Sequence, residues 1–229
     1  MISVVIPTLN AESRLATTFA ALIPAVVDGL VREVIVADGG STDHTMSIAE
    51  SAGAEIVRSA PGRGQQLIAG AEAARSPWLL FLHADTTLEA GWEREAYAFI
   101  ERVDSGQRPL SAAAFRFKLD DIGFRPRLVE TGTAIRCALF RLPYGDQGLL
   151  IPKQLYGEIG GYQPLPLMED VDIVRRIGRR RTVMLRNQAV TSAKRYRQDG
   201  YAARVSRNLV CLSLYYMRVP IRTISRLYG

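Results

Sequence analysis

The sequence predicts an α/β fold: a mostly parallel central sheet, flanking helices and a C-terminal helical appendage. Three observations predict it. Short apolar runs, at residues 2–6, 33–37 and 78–82, have the near-continuous apolar pattern of strands buried on both faces. Stretches of helical periodicity alternate with them. Each run also ends in turn-forming or acidic residues, which gathers polar side chains at the carboxyl edge of the sheet, where open α/β sheets bind ligands.

The first strand, 2–6, is bounded by Pro7, and Asn10 is a candidate N-cap for a helix reaching about residue 22. The second, 33–37, leads through Ile35-Val-Ala-Asp-Gly-Gly-Ser-Thr-Asp43. Gly39 and Gly40 permit positive φ, Ser41 or Thr42 can cap the next helix, and Asp43 falls in its first turn, where the macrodipole favours an anion. A third strand, 55–59, precedes Pro61-Gly-Arg-Gly64, a turn that brings an arginine close to a ligand or leaves it solvated. The fourth, 78–82, terminates in His83-Ala-Asp-Thr86. Asp85 there either shares a divalent cation with phosphate oxygens or caps a helix starting near residue 90; His83 is either a site residue or a satisfied edge histidine.

Residues 88–103 are amphipathic, with Trp92, Ala96, Phe99 and Ile100 on the expected buried face. A loop at 104–109 is followed by a strand at 111–119 with one polar face and a helix at 124–140. Pro143-Tyr-Gly-Asp-Gln-Gly148 ends that helix before a short strand at 149–151. The Gly- and Pro-rich loop 160–166 carries Tyr162 and leads into Met168-Glu-Asp170. Glu169, Asp170 and Asp172 open a helix there, and helix capping alone would account for them. A strand at 182–185 and an amphipathic helix at 199–217 with a basic tail complete the chain. The expected organisation is a main domain, 1–190, with a helical extension, 191–229, packed on it.

At 229 residues and 48% apolar, the chain can bury a full core and is neither disordered nor a membrane bundle. Net charge is +6, concentrated in residues 175–186 and 194–226. Such patches favour anionic partners, whether nucleoside diphosphates, nucleic acid or acidic lipid. Nucleic acid is disfavoured because aromatic residues are not interleaved with the charges as a stacking platform requires. Leu209, Leu212, Leu214 and Tyr216 lie near Arg204, Arg207, Arg218, Arg222 and Arg226. That C-terminal helix therefore suits packing on the domain, a homodimer contact, or peripheral contact with an anionic membrane. Cys137 and Cys211 sit in apolar surroundings and read as unpaired hydrophobes, as in a reducing compartment. No signal peptide is expected, and the apolar run 209–217 is shorter than the roughly 20 residues of a membrane span, so a cytoplasmic location is expected, peripheral membrane contact being at the inner face.

Five motifs in order carry a resemblance. Ile2-Ser-Val-Val-Ile-Pro-Thr-Leu-Asn10, Val36-Ala-Asp-Gly-Gly-Ser-Thr-Asp43, Gly62-Arg-Gly64, Phe81-Leu-His-Ala-Asp-Thr86 and Met168-Glu-Asp170 resemble the family 2 glycosyltransferases, over roughly the first 175 residues, and most closely a small bacterial subgroup. The resemblance implies a Rossmann-like GT-A fold and transfer of a sugar from a nucleoside-diphosphate sugar, with a UDP-sugar favoured, to a hydroxyl acceptor that includes lipid-linked alcohols. It implies that Pro7, Thr8 and Asn10 line the nucleotide pocket, that Asp38 accepts a hydrogen bond from the base, and that Arg63 sits near the base or diphosphate. His83-Ala-Asp85 would replace the family's Asp-x-Asp motif, with Asp85 holding Mn²⁺ or Mg²⁺ and His83 at the nucleotide or the metal. Asp170 would be the catalytic base, with Glu169 and Tyr162 on the acceptor side. The Gln-x-x-Arg-Trp motif of processive synthases is absent, Lys194-Arg-Tyr-Arg197 being a loose echo, so single transfer is expected.

The chemistry is consistent with those roles. A metal and an arginine can stabilise a departing nucleoside diphosphate, and one carboxylate across the sugar suffices to deprotonate the acceptor in an inverting displacement. A nucleotidyltransferase would need a Gly-rich N-terminal signature where Pro7-Thr-Leu-Asn10 stands, and a haloacid-dehalogenase-type phosphatase an aspartate in place of His83. The alternative of another class is a catalytically weak nucleotide-sugar-binding protein, its metal site impaired by His83.

Overall fold

The structure, a computed structural model, describes residues 1–228; Gly229 of the expected extension lies outside them. The strands are β1 (Ile2–Thr8), β2 (Val31–Asp38), β3 (Glu55–Arg58), β4 (Trp78–Phe81), β5 (Thr86–Leu88), β6 (Ala112–Leu119), β7 (Leu149–Pro152) and β8 (Thr182–Thr191). The helices are α1 (Glu12–Val27), α2 (Thr45–Ser51), α3 (Arg63–Ala73), α4 (Trp92–Asp104), α5 (Phe124–Phe140), α6 (Lys153–Glu158), α7 (Glu169–Ile177), α8 (Lys194–Asp199), α9 (Tyr201–Tyr216) and α10 (Ile221–Tyr228).

One sheet has the order β3-β2-β1-β4-β7-β6-β8-β5. β1 is parallel to β2 and β4, and β2 to β3. β7 runs antiparallel to both β4 and β6, so β6 and its parallel partner β8 point the same way as β4. The carboxyl ends of β1, β2, β3, β4, β6 and β8 and the amino end of β7 therefore share one edge. That edge carries the site.

Side-chain alternation divides the core into two layers. Ile2, Val4 and Ile6 of β1 and Trp78 and Leu80 of β4 face α1, α2 and α4, whereas Val5, Leu79 and Phe81 face α3, α6 and α7. The expected face of α4 is buried, with Trp92 donating from Nε1 to the Ala21 carbonyl (3.0 Å) and meeting Phe115 edge-on. Cys137 and Cys211 are buried and unpaired, as expected. Among the described residues no helix is long and apolar enough to cross a membrane.

Several local expectations are corrected. Asn10 does not cap α1: it has φ 53°, and the first amide of α1, Glu12 N–H, is held by Asp43 Oδ2 (3.1 Å) from the neighbouring loop. Ser41 and Thr42 do not cap α2, which starts at Thr45 with Asp43 Oδ1 accepting that residue's amide (3.0 Å). One carboxylate thus serves two helix starts, which the sequence spacing of either helix alone does not reveal. Arg63 opens α3 instead of sitting in a turn, since Gly62 at φ 126° turns the chain first. β6 has no broad polar face, because both sides are covered. The polar run Arg186-Asn-Gln188 hides a continuation of β8: a register shift opposite residues 114–116 is satisfied by Glu95, which accepts the amides of Arg186 and Asn187 at 2.8 Å each. The helix expected over 199–217 is observed as α9, and a short helix the sequence did not announce, α8, precedes it across Gly200, φ 83°. α9 packs against the domain through Cys211, Leu212 and Tyr215, while Leu209 and Tyr216 remain exposed.

Candidate active site

At the shared edge, the loop after β4, the turn before β7, the start of α7, the end of β8 and the C-terminal helices enclose a cleft of about 140 Å³. Its lining includes Arg63, His83, Asp85, Asp146, Glu169, Asp170, Arg195 and Arg204. Four carboxylates and three guanidinium groups thus meet in one small volume.

Asp170 is held tightly. Its Oδ2 accepts the Gly145 amide (2.8 Å) and its Oδ1 the Val171 amide (2.7 Å), at the N-terminus of α7. The preceding Met168 adopts φ 64°, a left-handed conformation that a non-glycine residue avoids unless its surroundings impose it. Gly145 is needed for its lack of a side chain: a Cβ there would stand 2.7 Å from His83 Nε2 and 3.4 Å from Asp170 Cβ. His83 and Asp170, far apart in sequence, are thereby packed on either side of one glycine. Burial, then the charges of Arg63 and Arg195, hold the His83 imidazole well below its usual pKa, so it is neutral.

Glu169, on the same lining, is 1% exposed, and Arg63 Nη1 donates to its Oε1 at 3.3 Å. Burial and the adjacent Asp170 raise its pKa, and Arg63 opposes the rise. Tyr162, expected at the acceptor, is 5% exposed and packs edge-on against Phe81 at 4.9 Å, so it supports the cleft from beneath instead of lining it.

Pro7, Thr8, Asn10 and Asp38 lie along the same edge but not in this cleft. Thr8 and Asp38 are register partners at the ends of β1 and β2. Asp38 is 4% exposed, and its acceptor capacity is used within the chain. Oδ1 takes the Thr8 (3.1 Å) and Ser41 (2.5 Å) hydroxyls, and Oδ2 the Gly40 and Ser41 amides at 2.9 Å each. Burial alone would raise its pKa, but these donors together hold it below the usual range. An incoming base would have to displace one of them. Asn10 is likewise engaged, its Oδ1 accepting the Thr42 amide at 2.9 Å.

Two functional residues escaped the sequence reading. Gln66, buried on α3, donates from Nε2 to the carbonyls of Thr8 (2.5 Å) and Ala37 (3.0 Å) and ties together the ends of β1 and β2. Asp146 lines the cleft with a buried Oδ1 that has no hydrogen-bond partner. Burial pushes its pKa up to about 6; Arg136 opposes, and the charges of Asp170 and Asp85 add to the rise. Its turn is rigid, because Gln147 accepts from Arg136 Nη2 and the Tyr144 amide (3.2 Å each) and donates to the Phe115 carbonyl (2.9 Å). The tetrapeptide Tyr144-Gly-Asp-Gln147 was the available signal, a polar turn directly before an apolar strand.

A raised carboxyl pKa means that the folded state binds more protons than the unfolded one between the two pKa values, so stability falls as pH rises through that window. Asp146→Asn is therefore expected to be more stable than wild type by roughly 3 kcal/mol above about pH 7. The difference should close as pH falls through about 6 and vanish near the ordinary carboxylate value. Urea unfolding across this range checks it.

Residues 3–121 match the family model described as glycosyl transferase family 2, which is just over half of the chain. The chain belongs to glycosyl transferase family 2. Among curated proteins of this family, a PGL/p-HBAD biosynthesis glycosyltransferase of Mycobacterium bovis is 31% identical over 185 residues, covering 71% of this chain and 63% of the relative. The chain thus spans just under two thirds of the length of that relative. A glucosyl-3-phosphoglycerate synthase of Mycolicibacterium paratuberculosis is 38% identical over a shorter segment of 93 residues, 37% of this chain and 28% of that protein. In fold, the chain is similar to the crystal structure of Mycobacterium tuberculosis glucosyl-3-phosphoglycerate synthase in complex with Mn²⁺, UDP and glucosyl-3-phosphoglycerate. There the TM-score is 0.63 at 22% identity, over 96% of this chain and 81% of that one. The GT-A architecture expected from the motifs is thereby established for this family 2 member.

Proposed function

We propose that this family 2 protein transfers one sugar, with inversion, from a nucleoside-diphosphate sugar to a hydroxyl acceptor. The observation that carries this is the meeting, in one cleft, of Asp85 and His83 after β4, Arg63 at the start of α3 and the doubly anchored Asp170 at the start of α7. The similar structure binds UDP and Mn²⁺, which supports the same donor and cation class here.

The donor set suits a divalent cation shared with a ligand. Among the described residues no group of three or more His, Cys, Asp or Glu side chains could hold a metal ion alone. Mg²⁺ and Mn²⁺ commonly take one or two carboxylates and complete their shell with phosphate oxygens and water. Asp85 would supply the carboxylate, and the neutral imidazole of His83 is in the state that can ligate Mn²⁺ or line the nucleotide. The bound cation would supply neutralisation of the charge that develops on the diphosphate. Arg63 and Arg195, on the same lining, add fixed positive charge for that leaving group.

Asp170 acts as general base. It takes the acceptor's hydroxyl proton as that oxygen bonds to the anomeric carbon, and the bond to the diphosphate oxygen breaks with its electron pair leaving on the diphosphate. Pro7, Thr8, Asn10 and Asp38 form the adjoining nucleotide wall, where base binding exchanges a donor on Asp38. Acceptors of this class include lipid-linked alcohols.

Asp85→Ala is the test. Calorimetric titration of UDP is expected to show at least tenfold tightening by Mn²⁺ in wild type (about 1.4 kcal/mol or more) and none in the variant. Equal metal dependence in both would remove Asp85 from the cation site.

A further inference from the structure

A larger concavity, of about 1200 Å³, lies between α5 and α9. It exceeds the roughly 300–1,000 Å³ usual for small-molecule sites. Leu128, Ile135 and Phe140 of α5 face Leu209, Leu212 and Tyr216 of α9 across it. Leu128 and Leu209 are 55% and 58% exposed, and a contiguous apolar surface on a chain of net charge +6 marks a binding face.

Two observations identify what occupies it. The groove is continuous with the cleft, since Tyr144, Asp146, Tyr196 and Asn208 line both. At that junction stands Asp146, whose buried Oδ1 lacks a donor. Arg136 fixes the same corner, stacking 3.4 Å over the Tyr144 ring and donating from Nε to the Leu142 carbonyl (3.0 Å). A membrane or a second copy of the chain would cover the exposed rim but would bring no donor to an oxygen inside.

We propose that the α5–α9 groove binds the apolar body of a hydroxyl-bearing acceptor, an alkyl or aryl alcohol, whose hydroxyl donates to Asp146 on binding and turns its proton to the Asp170 base for transfer. This rests on the assignment of the cleft as the transfer site. The groove sets acceptor class through apolar area, and Asp146 sets which end of the molecule enters the cleft.

The test is calorimetric titration of the whole chain with butanol, hexanol, octanol and decanol as probes. Affinity is expected to rise about fourfold per methylene, the ~0.8 kcal/mol of a buried CH₂. Leu209→Glu, an exposed substitution whose folding is checked by thermal unfolding, should weaken decanol binding at least tenfold. Asp146→Ala should weaken every alcohol by a similar factor and leave the chain-length slope intact. A flat chain-length series in wild type, or full decanol affinity in Leu209→Glu, would overturn the proposal. So would a flat series in a wild type that sediments as a dimer or with acidic vesicles, since the groove would then be an interface or a membrane face. UDP with Mn²⁺ is titrated separately: failure of UDP to bind while the alcohol series holds would sink the transfer reading and leave the groove assignment standing.

Discussion

Asp170→Asn is expected to lower transfer by ~10²–10⁴-fold while UDP and Mn²⁺ affinities stay near wild type. The carboxylate is oriented by two amides, from Gly145 and Val171, and neither depends on its accepting a proton. The amide side chain keeps the volume and one acceptor oxygen but cannot take the acceptor's proton. Glu169→Gln should damage the chemical step less, because the Glu169 carboxylate is buried and paired with Arg63. Single-turnover rates beside donor affinity decide the matter. Full activity in Asp170→Asn would refute the mechanism, and loss of donor binding would place Asp170 in the nucleotide site.

Removing Arg63 should have the largest effect on stability. The Glu169 side chain is 2% exposed and Arg63, 38% exposed, is its ion-pair partner. Breaking a buried pair from one side costs about 3–5 kcal/mol, and the partial exposure of Arg63 places Arg63→Met near the lower end. The sign with pH follows from the charges. The pKa of Glu169 is already raised in the folded state, and loss of Arg63 removes an influence that lowers it. The folded state then holds a proton that the unfolded state releases, so the deficit grows as pH rises above the ordinary glutamate range and shrinks toward acid. Urea unfolding near pH 5 and pH 8 measures it, and Arg63→Met, Glu169→Gln together should recover much of the loss. A deficit independent of pH would show that Arg63 acts through other contacts.

What could be read from the sequence, and what could not, divides along sequence separation. The buried strands were legible because β1, β2 and β4 are covered on both faces, leaving no polar alternation to confuse the pattern. The 124–140 helix was found with its observed bounds, Phe124–Phe140, since Gly123 precedes it and Arg141, at φ 50°, ends it. Asp85, His83, Arg63 and Asp170 could be nominated from motif order, and the fold brings all four into one cleft. The saturation of Asp38 was not legible, because Ser41, Gly40 and Thr8 satisfy it through a turn geometry that spacing does not specify. The packing of Tyr162 against Phe81 and Tyr156 was not legible either, because its place in a Gly- and Pro-rich loop does not specify those partners. Asp146 was invisible because its importance comes from neighbours contributed by β4 and α7, elements distant in the chain.

The turn from Tyr144 to Gln147 forms part of both the cleft and the groove, and Gly145 within it holds Asp170 by a 2.8 Å hydrogen bond. Two cavities with a wall in common are linked in the thermodynamic sense when their occupants move it. If an occupant of the groove shifts that wall by even a few tenths of an ångström, it changes the free energy of whatever sits in the cleft. The cleft's occupant must then alter groove affinity by the same factor. Cooperation between donor and acceptor therefore becomes a property of one four-residue turn: a donor that draws Asp146 toward the cleft changes the acceptor's affinity, and a bound acceptor changes the donor's equally.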